Sequence, residues 1–206
     1  MPRIAEARAP AEPVTPTQQE RQERILAAAA ELGAEKDLER VMMQEVAREA
    51  DVAIATLYRY FPSKTHLFVG VMADQVERLS DLPTRPPGPE VSPADAVADV
   101  LVRATNAFVR RPKLAMAMIQ CMNAADPTVV TDVVTIDQRV SEVRFEAAGL
   151  DDPDEEQRAL FRILLQSWYG VLQTRLNGRL TPAQADSDLR TASRLLAHDR
   201  ARDRTG

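Results

Sequence analysis

The sequence predicts an all-α protein, and three observations support this fold class. Apolar residues recur at intervals of three and four along most of the chain, which is the spacing of one face of a helix. No stretch alternates apolar and polar residues over the length of a strand with turn residues around it. A capping residue followed by proline, a pair typical of helix starts, occurs at Ser92-Pro93, Asp126-Pro127, Asp152-Pro153 and Thr181-Pro182.

Three helices are predicted in the first third of the chain. The first begins at Thr17, where Glu20 completes a capping box, and it ends at Gly33 or extends as far as Asp37. The second fits residues 43–50 and the third fits residues 54–60, because apolar side chains return at helical spacing in both. Two short helices in this arrangement indicate a helix-turn-helix.

The turn between the second and third helices is predicted at residues 51–53. Pro62 stops the third helix, since proline has no N–H group to continue the hydrogen-bond ladder. Ser63 then caps a fourth helix, which we expect to run to about Leu82.

The third helix is expected to present a polar and aromatic surface. Val52, Leu57 and Phe61 fall on one side of it, which leaves the other side chains to face outward or to flank the core. Hydroxyls and a guanidinium there are suited to phosphate oxygens, and Ile54 and Ala55 to base edges and thymine methyls. The outward residues are Ala55, Thr56, Tyr58, Arg59 and Tyr60. Alternatively, the two tyrosines shield the core and the arginine forms a salt bridge.

The charge distribution restricts where nucleic acid binds. The net charge of the chain is −5, whereas DNA-binding surfaces are usually basic. Residues 52–65, however, contain Arg59 and Lys64 and no acid. A cation at the first turn of a helix opposes the helix dipole, and a phosphate beside Lys64 would offset that cost. We therefore expect a narrow cationic face, modest non-specific affinity and dimerisation as the source of tight binding.

The composition argues against other classes of function. With 45% hydrophobic residues in 206, the chain can bury a core in one or two domains. No apolar run approaches the roughly 20 residues that span a bilayer, and no secretory signal is evident, so a cytoplasmic protein without membrane contact is expected. Cys121 has no second cysteine, and only His66 and His198 accompany it, so neither a metal nor a cofactor is expected. Nucleophile and phosphate-loop motifs are missing, which argues against an enzyme.

A proline-rich segment is the predicted domain boundary, because residues 83–93 contain five prolines and one glycine. Beyond it, Arg111-Pro112 separates predicted helices at 94–110 and 113–123, and Gly149 and Gly178 end two others. The predicted organisation is a flexible arm at 1–16, a helix-turn-helix domain at 17–82, a linker at 83–92, a helical domain at 93–200 and a disordered tail at 201–206. Arg3 and Arg8 are the only basic residues of the arm.

The C-terminal domain is predicted to bind a ligand and to dimerise. It is rich in methionine and aromatic residues, which adapt to large apolar ligands but also pack ordinary helical bundles. The candidate ligand-binding residues are Phe108, Met116, Met118, Met122, Phe145, Trp168 and Tyr169. Apolar positions cover more than one face of the helix at 154–180, so this helix and the one at 183–197 are predicted to form a four-helix dimer interface.

The chain resembles a known family. Residues 20–79, with ERILAAAAEL followed by VAREADVAIATLYRYFPSK, are similar to the N-terminal domain of TetR-family transcriptional repressors. The runs NAFVRRPKLAMAM and LLQSWYGVLQTRL most resemble the cholesterol-catabolism repressors of actinobacteria. The resemblance implies an N-terminal three-helix DNA-binding domain, a C-terminal helical domain for ligand binding and dimerisation, and a homodimer that binds double-stranded palindromic operator DNA until a small molecule releases it.

The resemblance also implies roles for individual residues. Gln44, Ile54 and Ala55 correspond to base-facing positions, whereas a hydroxyl residue common in the family is replaced here by Met43. Thr56, Tyr58, Tyr60 and Lys64 correspond to phosphate-contacting positions. The implied inducer is a sterol-derived or other acyl-CoA thioester, whereas the composition fits a free hydrophobic acid or a drug-like compound as well. An activator, a repressor without inducer and a helical protein-binding adaptor are the alternatives.

Overall fold

The computed structural model describes residues 10–11, 13–80 and 91–203, and all regular structure in these ranges is helical. The all-α prediction is confirmed. The elements are α1 (Pro16–Glu35), a 3-10 turn (Leu38–Arg40), α2 (Met43–Glu49), α3 (Ile54–Tyr60), α4 (Lys64–Ser80), α5 (Pro93–Val109), α6 (Pro112–Ala124), α7 (Asp132–Ala147), α8 (Glu155–Leu176) and α9 (Pro182–Asp203). Among the described residues, no helix has the length and apolar character needed to cross a membrane.

The chain folds into two compact units that are not consecutive in sequence. The first unit contains the chain up to Arg78 together with Arg111–Asp137, and the second contains Leu79–Arg110 and the chain from Gln138 onward. Helix α6, expected in the C-terminal domain, therefore belongs to the same unit as α1–α3. Most of the predicted linker, most of the predicted arm and the end of the tail lie outside the described residues. Residues 201–203 continue α9, contrary to the predicted disorder.

The first unit is built around α1, which packs against α2 and α6. Ile25, Leu57, Leu67 and Phe68 are fully buried in its core. Burying a side chain of this size contributes about 1.5 to 3 kcal/mol. Helix α6 also packs against the 3-10 turn, so the helix-turn-helix rests on a helix that is distant in sequence.

The predicted start of α1 is wrong. The helix begins at Pro16, and its cap is Thr15, whose side chain accepts a hydrogen bond from the Gln18 N–H group. The start thus uses the same cap-and-proline pair as the later helices. The helix continues through Gly33 and ends at Glu35, within the extension to Asp37 that the sequence left open.

Gly33 serves packing, because a Cβ atom there would lie 2.7 Å from Phe68 Cε1 and 3.1 Å from Leu114 Cδ1. Ordinary contacts between carbon atoms are about 3.5 to 4.0 Å. Only glycine lets α1 approach these two side chains so closely.

Helix starts in the second half of the chain follow the predicted signals in part. The side chain of Ser92 caps α5 before Pro93, α6 begins at Pro112, and α9 begins at Pro182 after Thr181, so these three starts are confirmed. Gly149 and Gly178 follow α7 and α8 with φ of 66° and 71°, the left-handed conformation that glycine adopts without strain.

The other two predicted starts are displaced. Asp126 accepts hydrogen bonds from the Thr128 N–H and hydroxyl groups and closes a turn, while α7 begins only at Asp132. Helix α8 is capped by Asp154, whose carboxylate and the Gln157 side chain form a reciprocal capping box. The capping box satisfies two backbone N–H groups, so it takes precedence over the Asp152-Pro153 pair.

The second unit is a helical bundle in which α5 packs on α8 and α9, and α8 packs on α9. Its core contains Val97, Leu101, Leu164 and Leu189. Ion pairs join the exposed sides of α5 and α9, with Arg194 Nη2 2.8 Å from Asp95 Oδ1 and Arg190 Nη2 2.8 Å from Asp99 Oδ1 in the same unit.

Candidate nucleic-acid interface and regulatory residues

The helix-turn-helix consists of two seven-residue helices joined by a tight turn. Val46 and Ala47 of α2 and Leu57 of α3 are buried between them. Asp51 has a φ of 51°, a left-handed conformation that aspartate tolerates better than most residues. The N–H group of Val52 bonds to the Ala47 carbonyl at 3.0 Å, which closes the turn and fixes the start of α3.

One face of α3 is open to solvent. Ile54 is 38% exposed and Tyr58, one turn later, is 42% exposed, and Ala55 and Arg59 are exposed beside them. Gln44 is exposed at the start of α2, whereas Thr56 is half-buried. Most of the residues predicted to reach DNA therefore share one accessible surface.

Tyr60 does not face outward, so that part of the prediction is wrong. It lies one turn after Leu57 on the buried side of α3 and is 2% exposed. Arg59 Nη2 donates to Tyr60 Oη at 3.3 Å, and the guanidinium carbon lies 5.0 Å from the centre of the tyrosine ring. The core-shielding alternative thus describes Tyr60, and the contact orients Arg59.

Lys64 and Ser63 form the junction between α3 and α4. Lys64 Nζ donates to the carbonyl of Leu38 at 2.8 Å, so the 3-10 turn offsets the cost of a cation at the start of α4. An ammonium group has three donors, which leaves two for a phosphate. Ser63 Oγ accepts from the His66 N–H group at 3.3 Å and lies 2.8 Å from His66 Nδ1, as expected of a cap.

Side chains from α6 and α7 meet this junction. Cys121 Sγ lies 3.9 Å from the carbonyl of Lys64, and burial raises the pKa of the Cys121 thiol to about 11, with the Lys64 charge opposing that shift. Burial also raises the pKa of Asp132, and the charge of His66 lowers it. Cys121 and Asp132 thus lie near the start of α4, although both are far from the helix-turn-helix in sequence.

Four acidic residues of the first unit line a groove along α1 and α2. A groove of about 510 Å³ along α1 and α2 is lined by Glu31, Glu35, Glu45 and Glu49 with only Arg24 and Lys36 as cations. Several of these acids are paired, since Glu45 contacts Lys36 and Glu31 Oε2 lies 2.5 Å from Arg111 Nη2. The four carboxylates make this groove unsuited to a polyanion, whereas residues 52–65 contain no acid.

Met43 is 8% exposed, so its side chain packs inward and offers no phosphate contact. Met42, directly before it, is 55% exposed. Met43, in place of the hydroxyl residue that is common in the family, therefore removes one polar contact and still fills its place in the core.

The structure divides the predicted ligand-binding residues between the two units. Met116, Met118 and Met122 lie on α6 in the first unit, and Met118 is buried whereas the other two are half-buried. Phe108, Phe145, Trp168 and Tyr169 lie in the second unit, where Phe108 is buried and the other three are half-buried. The seven residues do not share one cluster within a single unit.

Trp168 is the centre of the aromatic group in the second unit. Its Nε1 donates to Thr105 Oγ1 at 2.9 Å and to the carbonyl of Leu101 at 3.2 Å. Phe108 packs edge-on against its ring with centroids 6.0 Å apart, and Phe145 packs against Phe161 at 4.9 Å.

Two buried polar residues of the second unit were missed by sequence reasoning. Thr105 is 4% exposed and donates to the carbonyl of Leu101, while Arg144 is 3% exposed and donates to Ser141 Oγ at 3.1 Å. Their burial could have been inferred from the sequence, because each lies three or four positions from apolar residues that are buried on the same face of its helix.

Exposed positions occur on both α8 and α9, and Ile163, Gly170 and Leu195 are together called the exposed stripe below. Ile163 is 54% exposed on α8 and Leu195 is 68% exposed on α9. Gly170, two turns after Ile163, is exposed, and a Cβ there would meet nothing within 4 Å. These positions are accessible in the single chain.

Comparisons with known proteins cover most of the chain. Residues 25–71 match the family described as bacterial regulatory proteins, tetR family, and residues 91–196 match the tetracyclin repressor-like C-terminal domain. The HTH-type transcriptional repressor KstR of Rhodococcus jostii is 34% identical over 90% of this chain and 86% of its own length, and KstR of Mycobacterium tuberculosis is 30% identical over 88% and 83%.

Solved structures show the same fold. A TetR transcriptional regulator from Rhodococcus sp. RHA1 has 49% sequence identity and a TM-score of 0.80, with 87% of this chain and 96% of that chain covered. Thermus thermophilus FadR, a TetR-family repressor crystallised with lauroyl-CoA, has 18% identity and a TM-score of 0.59, with 85% and 93% covered.

Proposed function

We propose a specific mode of action for this chain, which belongs to the TetR family of bacterial regulatory proteins and is a transcriptional repressor rather than an enzyme. In this proposal the protein binds a palindromic operator as a homodimer in the cytoplasm, and a hydrophobic small molecule releases it. The observation that carries the proposal is the exposed, acid-free face of α3, on which Ile54, Ala55, Tyr58 and Arg59 are accessible together.

The chemistry of that face suits a DNA groove. The amide of Gln44 is able to pair with adenine, and the methyl groups of Ile54 and Ala55 with thymine methyls. Thr56, Tyr58, Arg59 and Lys64 supply donors for phosphate oxygens. Tyr60 acts indirectly, because its buried hydroxyl and ring hold the Arg59 guanidinium. With so few hydrogen-bonding side chains, specificity also depends on DNA shape.

The exposed stripe on α8 and α9 supports a dimer. The exposure of a large apolar side chain such as Ile163 or Leu195 to water is unfavourable in free energy. In a two-fold dimer the same surface of a second copy would cover both side chains. Binding of a palindromic operator requires the two α3 helices of this dimer to lie about 34 Å apart, the spacing of successive major grooves on one side of the duplex.

The proposed inducer is a sterol-derived or other acyl-CoA thioester. Support comes from the KstR relatives, from the lauroyl-CoA complex of FadR and from the aromatic group around Trp168. Release requires that the ligand bind the two states with different affinity.

The first test replaces Tyr58 by alanine and measures operator affinity by gel shift on the DNA upstream of the protein's own gene. We expect the dissociation constant to rise about fivefold to tenfold, the equivalent of about 1 to 1.4 kcal/mol for one lost hydrogen bond with its ring contact. Tyr58→Phe isolates the hydroxyl. Val129→Ala is the matched control, since Val129 is also 42% exposed but lies outside the surface. Equal affinity of Tyr58→Ala and wild type would contradict the proposed surface.

The second test uses the single tryptophan of the chain as a reporter of the ligand. Acyl-CoA and sterol-CoA thioesters are expected to change Trp168 fluorescence at the concentrations that release the operator. Trp168→Phe keeps an aromatic ring but loses the two hydrogen bonds to α5, so the concentration needed for half release should rise about fivefold. Unchanged release by Trp168→Phe, or loss of operator binding without ligand, would assign Trp168 to the core alone.

A further inference from the structure

Two residues before α1 contact the end of α3 within the first unit. The N–H group of Ala11 donates a hydrogen bond to the carbonyl of Arg59 at 2.9 Å, and both Pro10 and Ala11 are half-buried. Nearer to α1, the N–H group of Val14 donates to Gln18 Oε1 at 2.8 Å. Pro10 and Ala11, called the strap below, therefore join the chain that leads into α1 to the last turn of α3.

The strap satisfies a backbone group that α3 leaves open. Carbonyl groups in the last turn of a helix have no partner within that helix. In α3 the carbonyl of Leu57 accepts from the N–H group of Phe61 at 2.8 Å, and the carbonyl of Arg59 accepts from Ala11. The end of α3 is thus completed by a residue that is far from it in sequence, and its position depends on that residue.

Helix α3 needs such a contact because it has only seven residues. An isolated helix shorter than about 12 residues is marginally stable in water, so the orientation of α3 is set by its surroundings. Its start is fixed by the hydrogen bond from the Val52 N–H group to the Ala47 carbonyl, and its core side by the burial of Leu57 and Tyr60. The strap holds the opposite end of the helix.

These contacts hold Arg59 at two points. Its carbonyl accepts from Ala11, while its guanidinium carbon lies 5.0 Å from the centre of the Tyr60 ring and its Nη2 lies 3.3 Å from Tyr60 Oη. The residue is nevertheless exposed, so it is accessible to DNA. Ordering a long side chain before binding reduces the conformational entropy that is lost on binding. A change in the direction of the last turn would move the guanidinium away from the phosphate that it is expected to contact.

We propose that Ala11 is a positioning residue for DNA binding, because its N–H group holds the last turn of α3 in the orientation from which Arg59 reaches a phosphate. This inference rests on the proposed function and adds to it a residue that acts without touching DNA. The hydrogen bond uses only the backbone of Ala11, so residues other than proline are able to supply it. The N–H group and the side chain of Ala11 are therefore separable by substitution.

The test compares the wild type with Ala11→Pro, which removes the N–H group, and with Ala11→Ser, the matched control that keeps it. Operator dissociation constants are measured on the full-length proteins from about 50 to about 300 mM salt. For Ala11→Pro we expect an increase of about fivefold for each half-site, the usual effect of one lost hydrogen bond. The slope of log K against log salt should fall by up to about 0.9 for each half-site, since Arg59 would no longer meet its phosphate. Ala11→Ser should bind as the wild type does.

The Arg59→Ala variant distinguishes positioning from a general effect on the fold. It removes the guanidinium and keeps the carbonyl, so the hydrogen bond from Ala11 remains. If Ala11 acts through Arg59, adding Ala11→Pro to Arg59→Ala should change the affinity by less than about twofold. Effects of the two substitutions that multiply would overturn the proposal. Wild-type affinity of Ala11→Pro, or an equal loss in Ala11→Ser, would also overturn it.

Amide hydrogen exchange of the wild type tests the contact without any variant, should Ala11→Pro fail to fold. The Ala11 amide is expected to exchange at least about tenfold more slowly than in an unstructured peptide of the same local sequence. Absence of this protection would overturn the proposal. A protected Ala11 amide in a wild type that binds no operator would instead overturn the proposed function.

Discussion

Replacing Gly33 by alanine is expected to lower the free energy of unfolding by about 2 kcal/mol, although alanine stabilises an isolated helix by about 1 kcal/mol relative to glycine. The new Cβ would lie 2.7 Å from Phe68 Cε1, and the Phe68 ring is fully buried and has no space into which to move. Leu114 Cδ1, at 3.1 Å, closes the other side. Overpacking of this kind typically costs 1 to 3 kcal/mol.

Thermal and denaturant unfolding followed by circular dichroism at fixed protein concentration would measure the effect. Phe68→Leu supplies the control, since it removes the closest ring carbon and should reduce the cost of Gly33→Ala by about 1 kcal/mol in the double variant. Equal or greater stability of Gly33→Ala alone would show that α1 moves away from α4 and α6 at little cost. The effect of the substitution on the free energy of unfolding would then be set by helix propensity.

The helical part of the structure was predictable because its signals are local. Ser92, Thr181 and the proline at position 112 mark helix starts by chemistry within a few residues. The failures occurred where two local signals compete. Asp126 closes a turn with Thr128, and Asp154 forms a capping box with Gln157 two residues after the Asp152-Pro153 pair. Sequence spacing alone does not rank these alternatives.

The DNA-facing surface was predictable only in part. Tyr60 lies one turn after Leu57, and this spacing places it on the core side of α3, whereas Tyr58 is exposed. The polar tip of Tyr60 made an outward position the expected one, and its contact with Arg59 satisfies that tip inside the domain. The location of α6 in the first unit depends on contacts between residues far apart in sequence, and no local pattern encodes such contacts.

Gly33 and the end of α1 illustrate the same limit. The sequence pattern placed one of two expected helix ends at Gly33, since glycine commonly follows the last helical turn. The helix instead continues, and the missing side chain accommodates Phe68 and Leu114 from two distant helices. The identity of the residue was informative, but its role follows from tertiary packing.

Placing a carboxylate on the exposed stripe is expected to abolish dimerisation. Ile163→Asp and Leu195→Asp each put a charge where the proposal places a dry contact with a second copy, and burying an unpaired charge costs several kcal/mol. Both side chains are more than half exposed in the single chain, so neither substitution should unfold the protomer. The combined variant should therefore be a folded monomer.

Loss of the dimer should weaken operator binding by about 100-fold or more, because two linked half-site contacts gain an effective concentration that a monomer lacks. Sedimentation analysis gives the mass and a gel shift gives the affinity, with circular dichroism to verify the fold. Val134→Asp is the matched control, since Val134 is 46% exposed on α7 in the first unit and is not part of the stripe, and this variant should remain dimeric. A combined variant that stays dimeric would place the interface elsewhere. A monomer with undiminished affinity would show that each chain binds its half-site independently.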